Sequence, residues 1–115
     1  MDWLLAKYVP NLERNEPINV GLVLFYENQV RARFLGETST GDFSPQCCHV
    51  IQDMANYRDW VDHWRRLVSN GAPEEEFLKD PPKHSFYMER AGRRILGNEN
   101  PEDTFNELFE KLVRR

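Results

Sequence analysis

The segment Ile18–Tyr26 constrains the fold more than any other part of the chain, because it is apolar on both sides of an extended strand. Residues two apart in a strand share one face of the sheet. One face carries Ile18, Val20, Leu22, Leu24 and Tyr26, and the other carries Val23 and Phe25. Such two-sided hydrophobicity is typical of a central strand that is buried on both faces or nearly so.

Two further strands are predicted around this segment. Residues 3–9 are compact and apolar and end at Pro10, while residues 30–35 alternate apolar positions with Arg31 and Arg33. The short polar connector at 27–29 makes the second and third strands a hairpin, and the alternation leaves one face of the third strand in water. Residues 36–45 are rich in Gly, Thr, Ser, Asp and Pro, which predicts a loop.

From about residue 45 to Ser69 the apolar residues recur every three or four positions, which is the period of a helix. The stripe consists of Cys47, Val50, Met54, Tyr57, Val61, Trp64 and Val68. Asn70 and Gly71 follow, and both tolerate the left-handed conformation in which many helices end. The sequence therefore predicts one long helix in the middle of the chain.

The last third of the chain holds shorter elements. Residues 72–83 carry three acidic residues among prolines, which predicts a short helical turn and a stiff loop. Residues 85–90 and 93–96 predict either a small hairpin or one bent strand. Asn100 and Pro101 are typical of a helix N-terminus. The apolar stripe of that last helix consists of Phe105, Leu108, Phe109, Leu112 and Val113.

These elements predict an α+β fold with an antiparallel sheet of three to five strands. We expect the long central helix and the C-terminal helix to pack on one face of that sheet. Residues 1–115 should form a single domain, since domains cluster near about 100–150 residues. No apolar run approaches the length of about 18 residues that a membrane span needs, so we expect no membrane association.

The charge balance disfavours a nucleic acid as the partner. The chain has 15 Lys and Arg against 19 Asp and Glu, with a net charge of −4, which gives no general attraction for phosphates. Local basic groups exist at Arg31/Arg33, Arg65/Arg66, Arg90/Arg93/Arg94 and Arg114/Arg115. Only their convergence in space would form a basic face, and nucleic-acid association is therefore kept as a further alternative.

The cysteines favour a reducing, cytoplasmic location. Cys47 and Cys48 are adjacent, whereas a disulfide needs Cα atoms about 5.5 Å apart, and no cleavable leader is apparent. His49, His63 and His84 do not combine with the cysteines into the spacing of a zinc site. We expect no metal and no cofactor.

The loop before Ile18–Tyr26 carries an unusual motif. Asn19 and Gly21 stand inside a strand, where both are disfavoured, and Arg14 and Glu16 provide a guanidinium and a carboxylate at its entrance. One interpretation is a polar pocket for an anion, a peptide terminus or a partner's side chain. The other, which the sequence favours, is an internal Arg–Glu pair with an Asn that fixes the loop to the strand.

The run from residue 7 to 25 resembles the N-terminal signature of the bacterial family called domain of unknown function 3037. The matching residues are Tyr8, Val9, Pro10, Arg14, Glu16, Asn19 and Gly21. Asn15 stands where the family usually has glycine, and residues 101–113 resemble the family's last helix. The resemblance implies a small cytosolic protein without an assigned reaction, often encoded beside a toxin-type kinase-like protein.

Trp60 and Trp64 lie one helical turn apart, and Trp is prominent among the residues that dominate protein interfaces. Trp64 belongs to the apolar stripe and is expected in the core, whereas Trp60 is equally compatible with the core and with an interface. The sequence favours a small interaction or regulatory module with a protein partner, without catalytic residues, binding through Arg14, Glu16, Asn19 and Trp60. The alternative is a small enzyme or ligand-binding protein that uses the Arg14/Glu16/Asn19 group.

Overall fold

The part of the chain that the structure describes forms four antiparallel strands and three helices. A computed structural model describes residues 1–10, 16–37, 43–44, 51, 53–79 and 85–113. The elements are β1 (Asp2–Tyr8), β2 (Ile18–Tyr26), β3 (Gln29–Phe34), α1 (Met54–Ser69), α2 (Glu74–Phe77), β4 (Phe86–Arg93) and α3 (Pro101–Leu112). The strands lie in the order β3-β2-β1-β4, and each neighbouring pair is antiparallel. The predicted α+β class and the predicted range of strand number are confirmed.

β2 is an interior strand, as its two-sided apolar pattern predicts. It pairs with β1 on one side and β3 on the other, and its residues 20–24 are buried. Leu22 and Leu24 contribute to the core on one face of the sheet, and Val23 contributes to the core on the other. A strand of this composition is stable only where both faces of the sheet are covered.

α1 and α2 cover one face of the sheet, which we call the α1 face. Its buried residues are Leu4, Ala6, Tyr8, Val20, Val23, Phe34, Ile51, Tyr57, Val61, Trp64, Phe77, Phe86 and Met88. Aromatic rings interlock there: Trp64 stacks on Phe34 with centroids 5.4 Å apart, and Tyr57 stacks on Phe86 at 5.6 Å. The Tyr57 hydroxyl donates a 2.7 Å hydrogen bond to the Leu35 carbonyl, so the polar end of this buried ring is satisfied.

α3 covers the opposite face, which we call the α3 face. Its buried residues are Leu5, Leu22, Leu24, Phe105, Leu108 and Phe109. The expectation that both helices pack on one face is therefore wrong. The physical reason lies in β2, because its apolar residues on the second face would be exposed to water if the two helices shared the first.

β4 is a single bent strand, which is one of the two forms the sequence left open. Its register against β1 shifts where Trp3 pairs with Gly92 and Leu4 pairs with Arg90, so Ala91 is an extra residue. The indole of Trp3 occupies the space that a side chain at position 92 would need. A glycine is required there because the two strands bring the ring directly over the backbone.

The helix ends follow local capping rules. α1 begins at Met54, and the Asp53 carboxylate caps it by accepting a 3.1 Å hydrogen bond from the Asn56 amide. Ile51 is not helical, so the prediction of one helix that runs from about residue 45 to Ser69 is wrong at residue 51. Cys47 and Val50, which belong to the predicted stripe, lie outside the described residues. α3 has the predicted N-cap: Asn100 Oδ1 accepts from the Glu102 amide at 2.8 Å.

Candidate functional site

Asn19 forms a structural link to the far end of the chain. It pairs with Lys7 on β1, and its side-chain Nδ2 donates a 3.0 Å hydrogen bond to the Leu112 carbonyl at the end of α3. The last carbonyls of a helix have no partner within the helix, and the half-buried Asn19 amide supplies one. The interpretation in which Asn19 acts as a tie is thus supported, although its partner is α3 rather than the loop.

Gly21 marks both a bulge and a close approach. Lys7 pairs with Asn19 and Ala6 pairs with Gly21, which leaves Val20 as an extra residue in β2. A Cβ atom at position 21 would overlap the ring of Phe34 and approach the Ala6 Cβ at 3.2 Å. The missing side chain therefore makes room for the Phe34 ring on the α1 face.

Arg14 and Glu16 are the other two members of the predicted polar group. Glu16 is exposed in the segment that leads into β2, and Arg14 lies outside the described residues. Of the three candidates, the structure thus places Asn19 against α3 and Glu16 at the surface. The convergence of Arg14, Glu16 and Asn19 into a pocket stays a prediction.

Trp60 lies at the margin of the core on α1. Its indole is half-buried, with the Trp64 ring at 5.6 Å and the His63 ring edge-on at 5.8 Å, centroid to centroid. Trp64 is 1% exposed, which confirms its predicted place in the core. Part of the Trp60 ring is therefore exposed at the surface, while the rest contacts the rings of Trp64 and His63.

Several arginines of the basic groups noted in the sequence form ion pairs with carboxylates. The ion pairs among described residues include Arg31–Glu102, Arg65–Glu37, Arg90–Glu74, Arg93–Asp2 and Arg94–Glu99. The guanidinium of Arg33 lies over the Phe109 ring, 4.3 Å from its centroid. The Arg93 hydrogen bond at 2.7 Å holds the pKa of the Asp2 carboxyl below its usual value. Arg31, Arg65, Arg90 and Arg93 each pair with a carboxylate from a different part of the fold, whereas Arg94–Glu99 lies within the connection between β4 and α3.

Tyr87 and its neighbours form a group to which the sequence drew no attention. Tyr87 pairs with Lys7 on β1, and the Lys7 ammonium lies 4.0 Å from the Glu89 carboxylate. Partial burial and the charge of Glu89 raise the pKa of the Tyr87 phenol, which stays protonated at neutral pH. The alternation of residues along β4 could have indicated this group. It was not used, because the sequence left open whether residues 85–96 form a hairpin or one strand.

A cavity of about 150 Å³ lies where the β2–β3 turn meets the start of α3. Its lining includes Glu27, Arg31 and Glu102. The backbone of Glu27 has a φ of 54°, a value that residues other than glycine rarely adopt. Arg31 and Glu102 form an ion pair there, so their charges offset each other, and Glu27 adds a third, acidic group to the lining. The polar connector at 27–29 was predicted, but its strained backbone was not.

Metal ligands do not gather in the part of the chain that the structure describes. No three His, Cys, Asp or Glu side chains come close enough there to hold an ion. Cys47, Cys48, His49 and His84 lie outside that part, so the expectation about metal stays a prediction. No helix among the described residues is both long and apolar enough to cross a membrane.

A comparison with protein-family models decides the family. The model described as "Protein of unknown function (DUF3037)" matches residues 3–113, which is nearly the whole chain. The chain belongs to the DUF3037 family. The resemblance drawn from the motif around Asn19 and Gly21 is thereby confirmed. Neither the curated proteins nor the solved structures provide a match to this DUF3037 chain.

Proposed function

We propose that this DUF3037 protein is a small interaction module without catalytic activity, which acts as an accessory or regulatory partner of another protein through a surface centred on Trp60. The observation that supports the proposal is the position of Trp60, half-buried at the margin of the core. A large aromatic side chain that is already held in place loses little rotational freedom when it binds, so it can contribute strongly to an interface.

The support beneath Trp60 is rigid. Trp64 contacts it from within the core and is itself stacked on Phe34 at an interplanar angle of 16°. His63 contacts it edge-on on the same side of α1, since residues three apart are neighbours on a helix. Leu67, which is partly buried, continues this surface two turns further along the helix. We define the Trp60 surface as Trp60, His63 and Leu67.

The pairing of the arginines favours a protein partner over a nucleic acid. Binding of phosphates by Arg31, Arg65 or Arg93 would require each to leave its carboxylate partner. A surface without a concentrated positive field gains little from counterion release, which supplies most non-specific affinity for nucleic acids. A toxin-type kinase-like protein in a bacterial cytoplasm is the partner class that the family resemblance suggests.

The alternative of a small-ligand site at Arg14, Glu16 and Asn19 has less support. One N–H of the Asn19 carboxamide is already donated to the Leu112 carbonyl, so only its second N–H and its Oδ1 would remain for a ligand. The structural tie alone accounts for an Asn at this position of β2.

The test is co-purification from the organism that makes the protein. The tagged full chain, carrying wild-type sequence or Trp60→Ala, is isolated at low and physiological salt, and bound proteins are quantified by mass spectrometry. We expect a near-stoichiometric partner with the wild type and at least about a 30-fold weaker association with Trp60→Ala, as for an interface hot spot.

Asp62→Ala is the matched control, because Asp62 is exposed on α1 but is not part of the Trp60 surface. It should retain the partner, and circular dichroism should show that both variants are folded. Equal retention of the partner by Trp60→Ala would contradict the assigned surface. A chain that recovers no stoichiometric partner under any of these conditions would contradict the interaction module itself.

A further inference from the structure

α3 is attached to the rest of the fold by a short exposed connection. Residues 94–100 join β4 to α3, and all of them except Leu96 are exposed. Ile95 is 92% exposed, and Gly97 has open space around its Cα. The Arg94 N–H donates to the Met1 carbonyl and Arg94 pairs with Glu99, but little apolar packing opposes a change of backbone conformation beyond Arg94.

The core beneath α3 is separate from the core beneath α1. In the part of the chain that the structure describes, thirteen buried residues form the core of the α1 face and six form that of the α3 face. The two groups share no residue, because they lie on opposite sides of the sheet. Elements with fewer buried apolar contacts open more readily than the rest of a protein.

Polar or charged contacts between described residues hold α3 at its start, in its second half and at its end. Arg31 pairs with Glu102 near its start, and the Arg33 guanidinium covers Phe109 in its second half. Asn19 donates to the Leu112 carbonyl at its end. The first pair is about half exposed on both sides and is worth little, whereas the half-buried Asn19 bond fixes the last turn.

We propose that α3 is a hinged cover that opens as a unit about residues 94–100, with Asn19 as the clasp that holds it closed. Opening uncovers the apolar strip of Leu5, Leu22 and Leu24 while the α1 face stays intact. The signature residue Asn19 would then control how often the sheet exposes this strip. This inference rests on the fold and is independent of the proposed function at Trp60.

Hydrogen–deuterium exchange of the full chain tests the cover. We expect the interior amides of α3 to exchange at least about tenfold faster than those of α1. Asn19→Ala should accelerate exchange in α3 by a further severalfold and leave α1 unchanged. Equal protection of the two helices, or acceleration of both by the variant, would show that α3 opens only when the whole domain unfolds and would overturn the proposal.

A second pair of variants separates loss of the clasp from general damage. Asn19→Asp keeps the size of the side chain but removes the N–H donor, so it should also accelerate exchange in α3. Asn106→Ala removes a carboxamide from the exposed side of α3 and should leave exchange in α3 at or below the wild-type rate. If Asn19→Asp leaves α3 as protected as in the wild type, the hydrogen bond is not a clasp.

Discussion

The two faces of the sheet are covered in different ways, although β1 and β2 contribute buried residues to both. On the α1 face, stacked aromatic rings join α1 to the sheet, and the Tyr57 hydroxyl adds a hydrogen bond to the Leu35 carbonyl. Phe77 of α2 packs edge-on against Phe25 of β2. On the α3 face, one helix packs on a smaller group of aliphatic and Phe side chains, with polar ties at its ends. Since elements with fewer buried apolar contacts open more readily, we expect α3 to have a lower local stability than α1 on the same sheet.

Removal of a large ring from the α1 face should have the largest effect. Trp64→Ala deletes a fully buried indole that contacts Phe34 and Trp60, and we expect a loss of about 3–5 kcal/mol in the free energy of unfolding. Urea denaturation monitored by far-ultraviolet circular dichroism measures it. Trp60→Ala is the comparison, with a smaller loss because Trp60 is only half-buried; an equal loss would contradict the assigned difference in burial.

The corresponding change on the α3 face should be smaller and local. Leu108→Ala removes a side chain that is 8% exposed, and we expect a loss of about 2–3 kcal/mol. Hydrogen exchange should show the loss of protection in α3 and not in α1. If α1 loses protection to the same degree, the two faces form one cooperative unit and the comparison fails.

A change at Gly21 should disturb the α1 face from within the sheet. Gly21→Ala places a methyl group against the Phe34 ring, and we expect a loss of about 1–2 kcal/mol from overpacking. Denaturant titration gives the loss, and near-ultraviolet circular dichroism reports the disturbed Trp64 environment. Wild-type stability of the Gly21→Ala variant would mean that the Phe34 ring shifts without cost.

The smallest expected effect concerns the Asp2–Arg93 pair, which joins the ends of β1 and β4. The folded-state pKa of Asp2 is lowered, so its contribution is present above the unfolded pKa and is lost as the pH falls through the folded value. Asp2→Asn should remove this part of the acid sensitivity below about pH 4. Melting temperatures of the wild type and of Asp2→Asn, measured across acid pH, check this prediction. Identical pH profiles for the two proteins would contradict a stabilising Asp2–Arg93 pair.

The sequence predicted the local features of the fold well. The buried strand β2 follows from its apolar residues on both sides, and the start of α3 follows from Asn100 and Pro101. The position of Trp64 in the core follows from the helical stripe. These three features depend on residues that are close together in the chain, so a local sequence pattern is enough to predict them.

The long-range features could not be read from the sequence. The Asn19 amide finds its partner at Leu112, and Arg31 finds Glu102, because α3 returns to the second face of the sheet. The two-sided pattern of β2 did require a second cover, but it did not say which helix would supply it. The sequence already favoured a tie for Asn19, but its partner, the Leu112 carbonyl, became visible only with α3 in place.

Native-state hydrogen exchange at increasing urea concentration tests the separation of the two faces most directly. The predicted result is that α3 amides exchange through an opening with a lower free energy and a weaker urea dependence than α1 amides, because that opening exposes less surface. A single free energy and a single urea dependence shared by α1 and α3 would contradict it.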